Sequence, residues 1–221
     1  MLHMFGFERA AVLVSDLYFV DPNPLPGQES PERGVRLEVR LLDRGELHGS
    51  IYSAQPIGIG QPVWRADLLE SVDNPGSLNR AHHHPQFSEQ WDPGHRVFEK
   101  AMLADPPQWV GEQLADLEGI VKRAGLEVDD ALARDAVSVR GATGEIMATV
   151  TRLLAGVAAG ELAVAPTGEP DSPPLVSARV GWASRTMESS RGRLRSSWNG
   201  SGGYTGTATT PAYRHPKNAV R

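Results

Sequence analysis

Val35, Leu37, Val39 and Leu41 alternate with Arg36, Glu38 and Arg40. Successive strand side chains point to opposite faces, so this spacing predicts a strand with one face on a core and the other in water. Such a strand needs partners, and the flanking sequence supplies them. Residues 10–20, AAVLVSDLYFV, are rich in β-branched and aromatic side chains and stop at Asp21-Pro22-Asn23-Pro24. Asp43-Arg44-Gly45-Glu46 provides a turn, and residues 48–54, HGSIYSA, read as the returning strand of a hairpin. A further strand is expected at 62–72, after the glycine-punctuated QPIGIGQP. The first third is thus an antiparallel meander of about four strands.

Helical spacing takes over after residue 105. Asp105 is placed as an N-cap, Pro106 and Pro107 suit a first turn, and Gln108 stands three residues on, a capping-box arrangement. Trp109, Val110, Leu114, Leu117, Ile120 and Val121 follow at three-and-four spacing up to Gly125, which predicts a helix over 105–124. Shorter helices are expected at 129–137 and 143–159, the last stopping at Gly160. Strands first and helices afterward imply an α+β fold, a meander covered by two or three helices. One domain is expected over 1–183: sheet 10–72, His-rich loop 73–100, helical part 105–160 and an edge strand at 175–183 beyond the PTGEPDSPP linker. Residues 184–221, rich in Ser, Gly, Thr and Arg, read as a disordered basic tail.

Composition narrows the chemistry. No run of about 18 apolar residues is present, so no membrane span is expected, and the first twenty residues lack the pattern of a secretory signal. A cytoplasmic protein is the expectation. The absence of cysteine removes disulfides, thiol catalysis and thiolate-bound metals, leaving His, Asp and Glu as the strong ligands. The net charge of −5 is uneven, because seven basic residues against Glu188 give residues 185–221 a net of +6 and leave the remainder at −11. An acidic body argues against a large duplex-DNA face.

Residues 64–96 hold four of the seven histidines among turn-forming Pro, Gly, Asn and Asp. If His82-His83-His84 is extended, His82 and His84 share one side and His83 faces the other, with the two imidazoles about 7 Å apart along the strand and able to share one divalent metal. Glu89, Asp92 and His95 are candidates to complete the shell. A plain exposed loop with no ligand is the other reading. Neutral imidazole also serves as a general acid or base near neutral pH without any metal. Arg65 and Asp67, two apart on the predicted strand, share a face on which Arg65 would hold an anion and Asp67 would take a proton, or on which the two form only an ion pair.

A strand ending in Arg-x-Asp, then a His-Pro segment and a further histidine before a helix, resembles the small TumE-type toxins of toxin–antitoxin pairs. The residues that carry the resemblance are Arg65, Asp67, His83, His84, Pro85 and His95, within residues 10–125. Ala66 stands in place of the aromatic residue and Leu68 in place of the asparagine, unless Asn74 takes that role. The resemblance implies action on RNA or nucleotides and a cognate antitoxin as partner. Gly76, His82, His84 and Glu89 also resemble part of the cupin metal motif, which implies His82, His84 and Glu89 as ligands of a divalent ion. Gly94 comes too early for that motif, Pro85 interrupts the strand, and the second motif is missing.

The leading expectation is a pocket in which Arg65 binds an anion while Asp67 and one of His83, His84 or His95 handle protons, with phosphate-ester chemistry as the reaction. A non-enzymatic interaction or accessory protein is the alternative, and a divalent-metal oxygenase or isomerase the third. Removing the residues after Ala183 should leave the melting temperature nearly unchanged if they are unpacked, and a drop of several degrees in a thermal melt would contradict that.

Overall fold

The computed structural model describes residues 1–165 apart from Pro22, Asn23, Leu25 and Gln90; the edge strand expected at 175–183 and the basic tail lie outside the described residues. Strands β1 (Leu2–Gly6), β2 (Ala10–Phe19), β3 (Glu32–Arg44), β4 (Ile57–Ser71) and β5 (His82–His84) pair in sequence order, every neighbour antiparallel. Helices α1 (Lys100–Ala104), α2 (Pro106–Ala115), α3 (Leu117–Arg123) and α4 (Asp130–Ala158) follow. The molecule is therefore an α+β fold, an open antiparallel meander with its helices gathered on one face. No helix among the described residues is long and apolar enough to cross a membrane.

The alternating stretch at 35–41 lies inside β3, whose odd positions carry the core. Val35, Leu37 and Val39 are fully buried with Val12 and Val14 of β2 and Trp64, Ala66 and Leu68 of β4. Trp109, Leu114 and Ile120 of α2 and α3 and Val139, Ile146, Val150 and Leu153 of α4 close this core from the helical side.

Residues 48–54 are not a strand. They form a turn-rich loop, with Ser53 N–H donating to the Ser50 carbonyl and with Ile51 and Tyr52 at 83% and 90% exposure. The pairing expected of them belongs to the glycine-punctuated segment, since Arg44, Asp43 and Leu42 pair with Ile57, Gly58 and Ile59. The register shifts on either side of Arg40, and a Cβ on Gly60 would come within 2.9 Å of the Leu41 carbonyl oxygen, so the small residues there permit a close strand crossing rather than a turn.

Helix boundaries move for equally local reasons. The helix expected over 105–124 breaks at Asp116, which leaves helical geometry and caps α3 by accepting from Gly119 N–H. Asp105 caps α2 as expected, accepting from Gln108 N–H at 3.0 Å. The two helices expected at 129–137 and 143–159 are one, because the buried stripe from Leu132 through Val139 to Val157 continues across Gly141 and Gly144. Gly125 and Gly160, at φ of +75° and +73°, end their helices in the left-handed conformation that glycine adopts without strain.

One buried carboxylate ties the helical layer to the sheet. Asp135 of α4 accepts hydrogen bonds from the backbone N–H groups of Glu8, Arg9 and Ala10 at 2.7–2.8 Å, which fixes the β1–β2 turn. Replacing it by alanine strands those donors. Asp135→Ala is expected to lower unfolding free energy by about 3 kcal/mol in a urea titration, and a change near zero would show that the turn is held by other contacts.

A candidate metal centre on the open face of the sheet

The β3–β4 and β4–β5 registers set two rows of side chains on the face away from the helices. Arg36, Asp67 and His82 stand directly across from one another in one row, and Glu38, Arg65 and His84 in the next. The sequence pattern predicts this face to lie in water, but Glu38, Asp67, His82 and His84 are all buried. The reason is the segment 85–97, which folds back over the sheet. Val97 exchanges backbone hydrogen bonds with His83, Phe87 and Trp91 sit on the guanidinium groups of Arg65 and Arg40, and Arg96 reaches Glu32 at 2.7 Å. A cavity of about 420 Å³ remains beneath, lined by both site histidines, Asp67, Arg36, Arg65, Arg96, Phe19 and Trp91 among others.

The two imidazoles are locked in one tautomer. His82 Nδ1 lies 2.7 Å from the Arg80 carbonyl oxygen and His84 Nδ1 lies 2.9 Å from that of Pro93. A carbonyl only accepts, so each Nδ1 carries a proton, and in the neutral ring the Nε2 lone pair is then the free one. Both Nε2 atoms point at the same carboxylate oxygen, Asp67 Oδ2, at 3.4 and 3.6 Å. One ligand atom from each of Asp67, His82 and His84 lies within 4.8 Å of the others.

Asp67 is ionised there. Burial at 1% exposure pushes its carboxyl up, but the Arg36 guanidinium, bonded to its two oxygens at 2.6 and 3.2 Å, and then the His82 and His84 rings prevail and hold it well below the usual carboxylate range. Two ring nitrogens turned toward an ionised carboxylate need positive charge between them, either a proton on the ring or a metal ion. Separations of 3.4 and 3.6 Å exceed ordinary N–H···O hydrogen-bond lengths. They match the roughly 3.3 Å between ligand atoms that each sit about 2.0–2.1 Å from a tetrahedral ion. Two nitrogens and one oxygen with carbonyl and guanidinium partners behind them fit a first-row divalent ion such as Zn, Fe, Mn or Ni.

The other sequence candidates fall elsewhere. His83 faces the helical core, 4.9 Å from the Trp109 ring and 6.5 Å from Trp64 between centroids, with Nε2 3.1 Å from Glu99 and Nδ1 buried without a partner. Burial lowers its pKa and keeps it neutral. His95 is exposed and outside the cluster, as is Glu89, which occupies a positive-φ position in the Ser88–Asp92 turn. Among the described residues the carboxylate that joins the two imidazoles is Asp67 and not Glu89, because cross-strand pairing supplies it. Arg65 does lie in the cavity wall, bonded to Glu38 at 2.8 Å.

Arg36, Arg96 and Trp91 went unmarked by the sequence. Arg36 is visible there only as a polar residue on an alternating strand, and its partner depends on a register that no local pattern encodes. Searches of known protein families, curated proteins and solved structures find no match to the chain.

Asp67→Ala, His82→Ala and His84→Ala should each weaken zinc binding by more than about 100-fold, the upper end of what losing an outer-sphere partner costs. Glu89→Ala and His95→Ala should leave it unchanged. Competition titration with a chromogenic chelator reads both sets, and unaltered affinity in the first set would remove the centre.

Proposed function

We propose that this chain is a divalent-metal enzyme acting on an anionic substrate, with phosphate-ester hydrolysis as the best-matched reaction. The observation that carries the reading is the convergence of two Nε2 atoms, each on a ring anchored through Nδ1, on the ionised carboxylate of Asp67. A bound ion in such a site supplies Lewis-acid polarisation and a water of lowered pKa. The protein's own side chains do the rest. Arg36 orients Asp67 and keeps it anionic, Arg65 and Arg96 line the wall where an anion would sit, and Trp91, Pro93 and Gly94 supply the outer wall of the cavity.

The metal-free pocket expected from sequence has less support. A carboxylate gripped by Arg36 and held well below its ordinary pKa is a weak proton acceptor, so Asp67 is better suited to ligation than to general base catalysis. The toxin-like reading, with RNA or nucleotide as substrate and an antitoxin partner, rests on the resemblance of its short motifs and remains a narrower form of the same phosphate chemistry.

Elemental analysis of untagged protein should find about one equivalent of a first-row divalent ion, absent from His84→Ala, and phosphodiesterase or phosphatase activity should vanish with it. Metal binding without any turnover would favour a metal-stabilised interaction protein. No uptake from zinc, manganese, iron or nickel solutions would sink the metal reading. If activity then persisted and were lost in the Arg65, Asp67 and His84 triple alanine variant, the metal-free mechanism would take its place.

A further inference from the structure

The cavity's charge and its aromatic wall say more about the ligand than the metal cluster does. On the open face Arg36 pairs with Asp67, Arg40 and Arg65 with Glu38, and Arg96 with Glu32 and Asp21. Among the described residues four arginines thus meet four carboxylates, and this ion-paired set is neutral. A divalent ion on Asp67, His82 and His84 would leave two positive charges uncompensated in a partly enclosed space. In such a space charge is poorly screened, so the complementary ligand carries two negative charges.

The second observation is Trp91. It lines this cavity and is 56% exposed, so part of its ring is open to a ligand there. Its ring is held by the Arg40 guanidinium, 5.6 Å from the ring centroid, and Arg40 is itself anchored by Glu38 at 2.7 Å. Phe19, also in the cavity wall, is held in the same way by Arg96 at 5.5 Å. Cation–π contact fixes each ring without covering it in protein. A fixed, solvent-facing indole beside an electropositive centre suits a planar ring by offset stacking.

Resting on the metal reading above, we infer that the cavity takes a dianionic phosphate monoester of an aromatic alcohol. Its phosphoryl group would meet the metal and Arg65, and its ring would stack on Trp91. An aliphatic phosphate would satisfy the charge and leave the indole unused. The assignment therefore separates into a charge part and a ring part, which can be tested apart.

The probes are phenylphosphonate and methylphosphonate, non-hydrolysable dianions, titrated calorimetrically into the zinc-loaded full chain in mildly alkaline buffer, with zinc content measured on the same samples. Expected is about tenfold tighter binding of phenylphosphonate, equalised in Trp91→Ala and largely kept in Trp91→Phe. Equal binding of the two by zinc-loaded wild type overturns the ring part and leaves the metal centre standing. Binding of neither to zinc-loaded protein overturns the dianion part. A preference that persists in Trp91→Ala overturns the role of Trp91, and failure to load any of zinc, manganese, iron and nickel overturns the inference together with the reading it rests on. Circular dichroism matching wild type confirms that the Trp91 variants are folded.

Discussion

An ionised carboxylate at 1% exposure, faced by two imidazole nitrogens, depends first on the guanidinium that grips it from behind. Removing one partner of a buried ion pair typically costs 3–5 kcal/mol, since the remaining charge is left in a poor dielectric. Arg36 therefore does more than neutralise Asp67. By using both oxygens in a fork it fixes the plane of the carboxylate, and the lone pairs not used by the fork are directed toward β5. The arrangement depends on β3 and β4 pairing Arg36 with Asp67 and on β4 and β5 pairing Asp67 with His82. A one-residue slip in either register would send one row into the helical core.

This dependence explains what the sequence could and could not disclose. Period-two and three-and-four spacings report which face of an element is apolar, and they located β2, β3, much of β4, the α2 cap and the helical stops at Gly125 and Gly160. The same alternation put His82 and His84 on one side of an extended triplet and His83 on the other, as found. Short elements lack enough residues to show a period, so β1, β5 as a paired strand, and α1 escaped. The residues 48–54 offered β-branched and aromatic side chains without a partner to pack against, and the pairing went to Ile57 and its glycine neighbours instead. The carboxylate beside the two imidazoles was hidden for a different reason. Asp67 and His82 are fifteen positions apart, and only strand pairing makes them neighbours, whereas Glu89 was near in sequence and is exposed in space.

The triplet also works on both faces of the sheet at once. His82 and His84 present Nε2 to Asp67, while His83 lies against Trp109 and reaches Glu99. β5 is only three residues long, and its hold on the sheet comes from β4 on one side and the Val97 bridge on the other. The indole packing around His83 therefore helps to keep a short strand in register, so the core and the cavity are two consequences of the same three residues.

The Pro93 carbonyl that fixes the His84 ring belongs to the very segment that roofs the cavity. Lifting that segment to admit a bulky ligand would also withdraw the acceptor that holds the imidazole proton on Nδ1. The cavity wall and the orientation of the imidazole behind it are thus a single mechanical part: displacing residues 85–97 would undo the hydrogen bond that sets the His84 ring.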